Sequence, residues 1–129
     1  MSREKLLARH RLANGLGLEL WDRSRPVAGD RWQVVLEARI AVPVAAATLP
    51  PELLPEAAAV RTALGPEVVF SRRDERNFIA ASEIPDLLKE METRLLALVP
   101  DYLGHPDFAP RFIRKKYAEH REKQSWQRP

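Results

Sequence analysis

Cysteine is absent from the 129-residue chain. That excludes disulfides, thiol nucleophiles and cysteine-ligated zinc, and it fits a reducing cytoplasm, the expected location. Long apolar runs are absent too. The longest, Ile40 to Ala47, is interrupted by Pro43, and a bilayer-spanning helix needs roughly 20 apolar residues. No transmembrane segment is expected, and Met1 to Leu7 lacks the apolar core of a secretory leader. Glycine is scarce, at five scattered positions. Gly15-Leu16-Gly17 leads into a strand pattern rather than a helix N-terminus, so it is no phosphate-cradling loop.

Catalytic signatures are missing as well. Ser24, Ser71, Ser82 and Ser125 have no neighbouring histidine, and no Gly-x-Ser-x-Gly elbow occurs. His10, His105 and His120 show no metal-ligand spacing. Glu83, Asp86 and Glu90 share one helical face, which reads as a solvated face with acids well placed near a helix N-terminus. No cofactor or metal is expected, and the chain reads as a binding protein rather than an enzyme.

What is present is a pattern of alternation. Trp32, Val34, Leu36, Ala38, Ile40, Val42 and Val44 occupy one face of a long strand, with Gln33, Glu37 and Arg39 on the other. Such period-two spacing predicts an antiparallel strand with one wet face. Asn14-Gly15, between alternating runs, predicts a two-residue type I′ hairpin over residues 6–13 and 16–23. A helix over residues 3–12 is the rival reading, because Leu, Lys, Ala and Arg favour helix. Arg23 to Arg31 reads as a loop on the strength of Ser24, Pro26, Gly29 and Asp30.

Beyond the long strand, apolar spacing predicts a helix from Thr48 to Leu64 that stops at Gly65-Pro66. A second, shorter hairpin is expected over 67–81, turning at Asp74 to Asn77. Ser82 is the expected cap of a helix carrying the stripe Ile84, Leu87, Leu88, Met91, Leu95 and Leu98. A last helix is expected from Phe108 to Lys123, and residues 125–129 are expected to fray. The order β-β-β-α-β-β-α-α gives an α+β fold. An antiparallel sheet, a three-stranded meander plus a second hairpin, is packed on one face by two or three helices. At this length one domain over residues 1–124 is expected.

Charge is unevenly spread. Residues 111–129 carry a net +5 and residues 1–31 a net +3, whereas residues 32–110 carry −5. Asymmetry of this kind points to partners rather than to fold. Arg111, Arg114, Lys115, Lys116 and Tyr117 alternate cations with Phe112 and Ile113, as nucleic-acid or acidic-protein binders do. Arg23, Arg25, Arg31 and Trp32 form a second candidate, since Arg forks grip carboxylates or phosphates and Trp offers a stacking face. The leading expectation is recognition of an acidic protein partner or self-association. Binding of RNA or single-stranded DNA through the last helix is the alternative. The third reading is an enzyme acting on a small anion held by the Arg23–Trp32 segment.

Overall fold

The computed structural model describes residues 4–127. It is an α+β fold in which a curled antiparallel sheet of five strands accompanies three helices. The chain gathers into two compact units. One joins the segment up to Ile40 to Ser71–His105. The other joins Ala41–Phe70 to the segment from Pro106 onward.

In the first unit, β1 (Lys5–Arg11) and β2 (Gly17–Asp22) pair as a hairpin, so the strand reading prevails over the helical one. The turn differs from the two-residue type I′ expectation. Gly15 N–H donates to Leu12 O at 2.9 Å and Leu12 N–H to Leu16 O at 2.8 Å. Gly15 has φ +88°, while Asn14 is not left-handed. A three-residue turn with glycine at its left-handed position results. Asn14 works through its side chain instead. Its Oδ1 accepts from Leu16 N–H at 3.1 Å, and its Nδ2 donates to Leu103 O at 2.9 Å and His105 O at 3.1 Å.

Residues 23–31 are not the expected loop. β3 (Arg25–Ala28) pairs with the long strand β4 (Arg31–Pro43), and β2 pairs with that same strand. The partner pairs Leu18–Ile40, Asp22–Leu36 and Arg25–Gln33 belong to one register, so β2 and β3 form a single arm along β4. Only Gly29, at φ +56°, and Asp30 turn the chain. Ser24 looked like a turn residue but is fully buried and continues the inward row Leu18, Leu20, Asp22. Its amide donates to Asp22 Oδ1 at 2.9 Å, and its hydroxyl accepts the buried Val35 N–H at 3.0 Å. Pro26 is tolerated because β3 ends the strand order, where no outward amide is needed.

The second face of β4 is drier than expected. Val34, Val35, Leu36, Glu37 and Ala38 are all buried. β5 (Glu67–Ala80) pairs with β4 and is one 14-residue strand where a hairpin was expected. Asp74 to Asn77 contains no glycine, no proline and no left-handed residue that would turn the chain. α2 (Ile84–Leu96) buries Ile84, Leu88, Met91 and Leu95, as its stripe predicts. Ser82 does not cap it; a 3₁₀ turn over Ala81–Glu83 leads in without a side-chain cap. A π-helical turn, Val99–Leu103, follows.

In the second unit the expected single helix over 48–64 is divided. Pro51–Glu56 is 3₁₀, and α1 is Ala57–Leu64. Pro55 lies inside the first piece and has no N–H for an α-helical ladder. Gly65, at φ +84°, ends α1. α3 (Phe108–Gln127) is 20 residues long, so residues 125–127 are helical rather than frayed. Positions 128 and 129 of that expected tail lie outside the described residues.

Two predictions follow from the backbone. Ser24→Ala leaves the Val35 N–H without its acceptor, and a buried orphan donor costs about 1–3 kcal/mol. Chemical denaturation is expected to show that loss, and an unchanged midpoint would contradict the role given to Ser24. Phe78 has φ +61°, the one non-glycine residue beyond zero among those described. Left-handed backbone costs a residue with a Cβ roughly 1–2 kcal/mol. Phe78→Gly is therefore expected to be more stable than Phe78→Ala by about 1 kcal/mol, although glycine ordinarily weakens a strand.

Candidate functional site

The two candidate surfaces fall in different units. In the first unit, alternation along the β2–β3 arm places Glu19, Trp21, Arg23 and Arg25 opposite the buried row. Arg23 is engaged on three sides. Its Nε donates to Glu37 Oε2 at 3.1 Å, a terminal nitrogen lies 3.7 Å from Glu4 Oε2, and the guanidinium stands 4.6 Å from the Trp21 ring centroid. Glu37 is buried and also accepts from the Ser71 hydroxyl at 3.0 Å. A buried carboxylate held by a guanidinium and a hydroxyl is well satisfied, as burial of charge requires.

The neighbouring groups are similarly tied. Arg25 Nε donates to Gln33 Oε1 at 2.8 Å, and Gln33 Nε2 donates to Asn77 Oδ1 at 3.1 Å and Glu75 Oε2 at 3.3 Å. Arg31 lies 3.7 Å from Asp30 and 5.6 Å from the Phe78 ring centroid. Trp32 is half-buried opposite Pro26. Arg9 and Trp21 share Glu19, at 3.3 and 3.2 Å. Arg23 and Arg25 are thus held across the strands by Glu37 and Gln33, whereas Arg31 is paired with its sequence neighbour Asp30. Among the described residues no group of three or more His, Asp or Glu is arranged to hold a metal ion.

In the second unit, α3 has two halves of different character. The first half is anchored. Phe108, Ala109 and Ile113 are buried. Phe70 meets Phe108 and Phe112 edge-on at 5.3 and 5.7 Å, and the latter two rings stack at 5.9 Å. α1 packs against α3, and Arg114 Nε donates to Glu52 Oε1. Phe112 is therefore a packing residue. The second half is bare. From Ala118 to Trp126 every residue except half-buried His120 is exposed. Trp126 is 77% exposed.

The cations of α3 are unequally occupied. Arg111 lies 3.7 Å from Asp107, and Lys116 lies 3.5 Å from Glu119 and 5.5 Å from the Phe112 ring. Arg121 stands 5.7 Å from the half-buried Tyr117 ring. Lys115 and Lys123 make no ion pair among the described residues. The hydrogen bond from Arg114 is the chief reason that the Glu52 carboxyl is held below its ordinary value of 4.5. The same bond raises the Arg114 pKa.

Glu52 and Trp126 were not singled out from sequence. Residues 122–127, Glu-Lys-Gln-Ser-Trp-Gln, contain no breaker, and that absence could have extended the helix to Trp126. Nothing in the sequence marks Glu52 as the partner of a residue so distant along the chain.

Because the Glu52 pKa is lowered, the pair's contribution to stability is complete above about 4.5, and it is lost as pH falls through the lowered value. Arg114→Ala is expected to return the Glu52 titration to the ordinary carboxylate range, read by carboxyl NMR. An unmoved titration would show that Arg114 is not what holds it down.

No protein-family model matches the chain, and no curated protein or solved structure is significantly similar to it.

Proposed function

We propose that this protein is a non-enzymatic binding module whose helix α3 engages an acidic groove on a protein partner. The observation that carries this reading is the second half of α3. Its exposed residues include Trp126 and Lys123, and Lys115 lies two turns back along the same face; neither lysine makes an ion pair among the described residues. Lys115, Glu119, Lys123 and Trp126 follow one another at three- and four-residue spacing, so they share a face. An aromatic anchor with cations around it is what a helix laid in an acid-lined groove presents.

A protein fits better than a nucleic acid on three counts. Phe112 is committed to packing, and Arg114 is committed to Glu52. Glu119 and Glu122 lie within the exposed half. They would oppose a phosphate backbone, whereas a protein groove can meet mixed charge. The small-anion enzyme finds less support, because Arg23, Arg25 and Arg31 each already have a partner within the chain.

Fluorescence anisotropy with labelled poly-glutamate and a labelled uridine-rich RNA, at low and physiological salt, tests the reading. Poly-glutamate is expected to bind at low salt and to weaken as salt screens the contact. Lys115→Glu/Lys123→Glu breaks no ion pair among the described residues and is expected to weaken binding at least about tenfold, or roughly 1.4 kcal/mol. Trp126→Ala tests the anchor separately. No binding of poly-glutamate at low salt would overturn the proposal, and tighter binding of the RNA would replace it with the nucleic-acid reading.

A further inference from the structure

The end of the sheet where β3 turns into β4 carries an observation that the helix does not explain. Phe78 is 65% exposed and its backbone is left-handed. A large aromatic at positive φ is an outlier, and such strain persists only where something holds it. Core packing is not the reason, because the ring faces water and, among the described residues, meets the Arg31 guanidinium alone as a ring contact. On the opposite side of β4, at the irregularity between Pro26 and Ala28, Val27 is 54% exposed. Arg31, which pairs with Ala28 in the sheet and whose guanidinium stands 5.6 Å from the Phe78 ring centroid, places both Phe78 and Val27 at this end of the sheet.

Around that area the charges are of both signs. Asp30 and Arg31 lie at the turn itself, and Arg25, Glu75 and Arg76 lie nearby along the strands. The mixture bears on which partner fits. A twofold contact sets a patch against itself, so a patch of one sign repels its copy, whereas an apolar centre edged by both signs is self-complementary. By the same argument the +4 helix α3 is unsuited to pair with itself.

We infer that a second copy of this chain docks on the Phe78–Val27 end of the sheet, forming a twofold dimer independent of the partner proposed for α3. Phe78 is the anchor, presented outward by its backbone, and Asp30 and Arg31, paired with each other at 3.7 Å within each copy, edge the contact without net charge.

Sedimentation velocity on the full chain across a concentration series tests this. The unaltered protein is expected to pass from monomer to dimer as concentration rises. Phe78→Gly and Phe78→Ala are both expected to weaken the dimer at least about tenfold. Glycine accepts the left-handed backbone, so that variant retains the fold, and a thermal melt of each confirms it. Lys115→Glu/Lys123→Glu is expected to dimerise as the unaltered chain does. A protein that remains monomeric up to about 1 mM, roughly 4 kcal/mol of association, overturns the inference. So does a dimer that survives both Phe78 substitutions or is lost in the α3 variant.

Discussion

Strand β4 has to satisfy neighbours on both edges and side chains on both faces. β2 and β3 share one of its edges and β5 takes the other. An interior strand in that position can leave no amide unmatched. The arm formed by β2 and β3 nevertheless interrupts its ladder at Arg23 and Ser24, and the interruption is repaired by chemistry specific to those residues. Asp22 accepts the Ser24 amide, and the Ser24 hydroxyl stands in for a backbone carbonyl toward Val35. The inward row therefore continues through two polar residues without a buried amide being stranded. On the other face, Glu37 is covered because Arg23 and Ser71 reach it from the neighbouring strands.

Much of this framework was legible, because period-two alternation is a direct image of a pleated strand. The long strand was expected along Trp32 to Val44 with Pro43 marking its end or an edge, and it runs from Arg31 to Pro43. The apolar stripe of α2 and the basic character of α3 were equally plain. Residues 23–31 were misread for an identifiable reason. Ser24 and Pro26 are turn formers by statistics, but statistics do not register that one is a core acceptor and the other sits on an edge strand. Asp74 to Asn77 failed in the opposite sense. Polar residues in sequence suggest a turn, yet an edge strand accommodates charge along its whole length, and charge there discourages pairing with other chains.

The candidate surfaces were legible to a different degree. Sequence spacing shows which cations cluster but not which are already paired within the chain. Arg23, Arg25, Arg31 and Arg114 are matched by Glu37, Gln33, Asp30 and Glu52, and three of these four partnerships join residues distant in sequence or on separate strands. On α3, Asp107, Glu52 and Glu119 take Arg111, Arg114 and Lys116, and the Tyr117 ring takes Arg121, which leaves Lys115 and Lys123, two lysines that composition does not distinguish from their neighbours. Phe78 was read only as an apolar strand residue. Its exposure and its left-handed backbone are products of tertiary context, so no periodicity could have marked it.

The two surfaces answer to different electrostatic rules, and this is why one chain can carry both. A helix of net positive charge repels its own copy, and screening by salt weakens both that repulsion and its attraction to an acidic groove. A small apolar patch bordered by both signs has little long-range field, and its association depends on removing Phe78 and Val27 from water, a term that salt leaves largely intact. Raising the salt should therefore separate them. It releases whatever the helix holds while the sheet-end contact persists, and neither surface has to be altered for the other to be read.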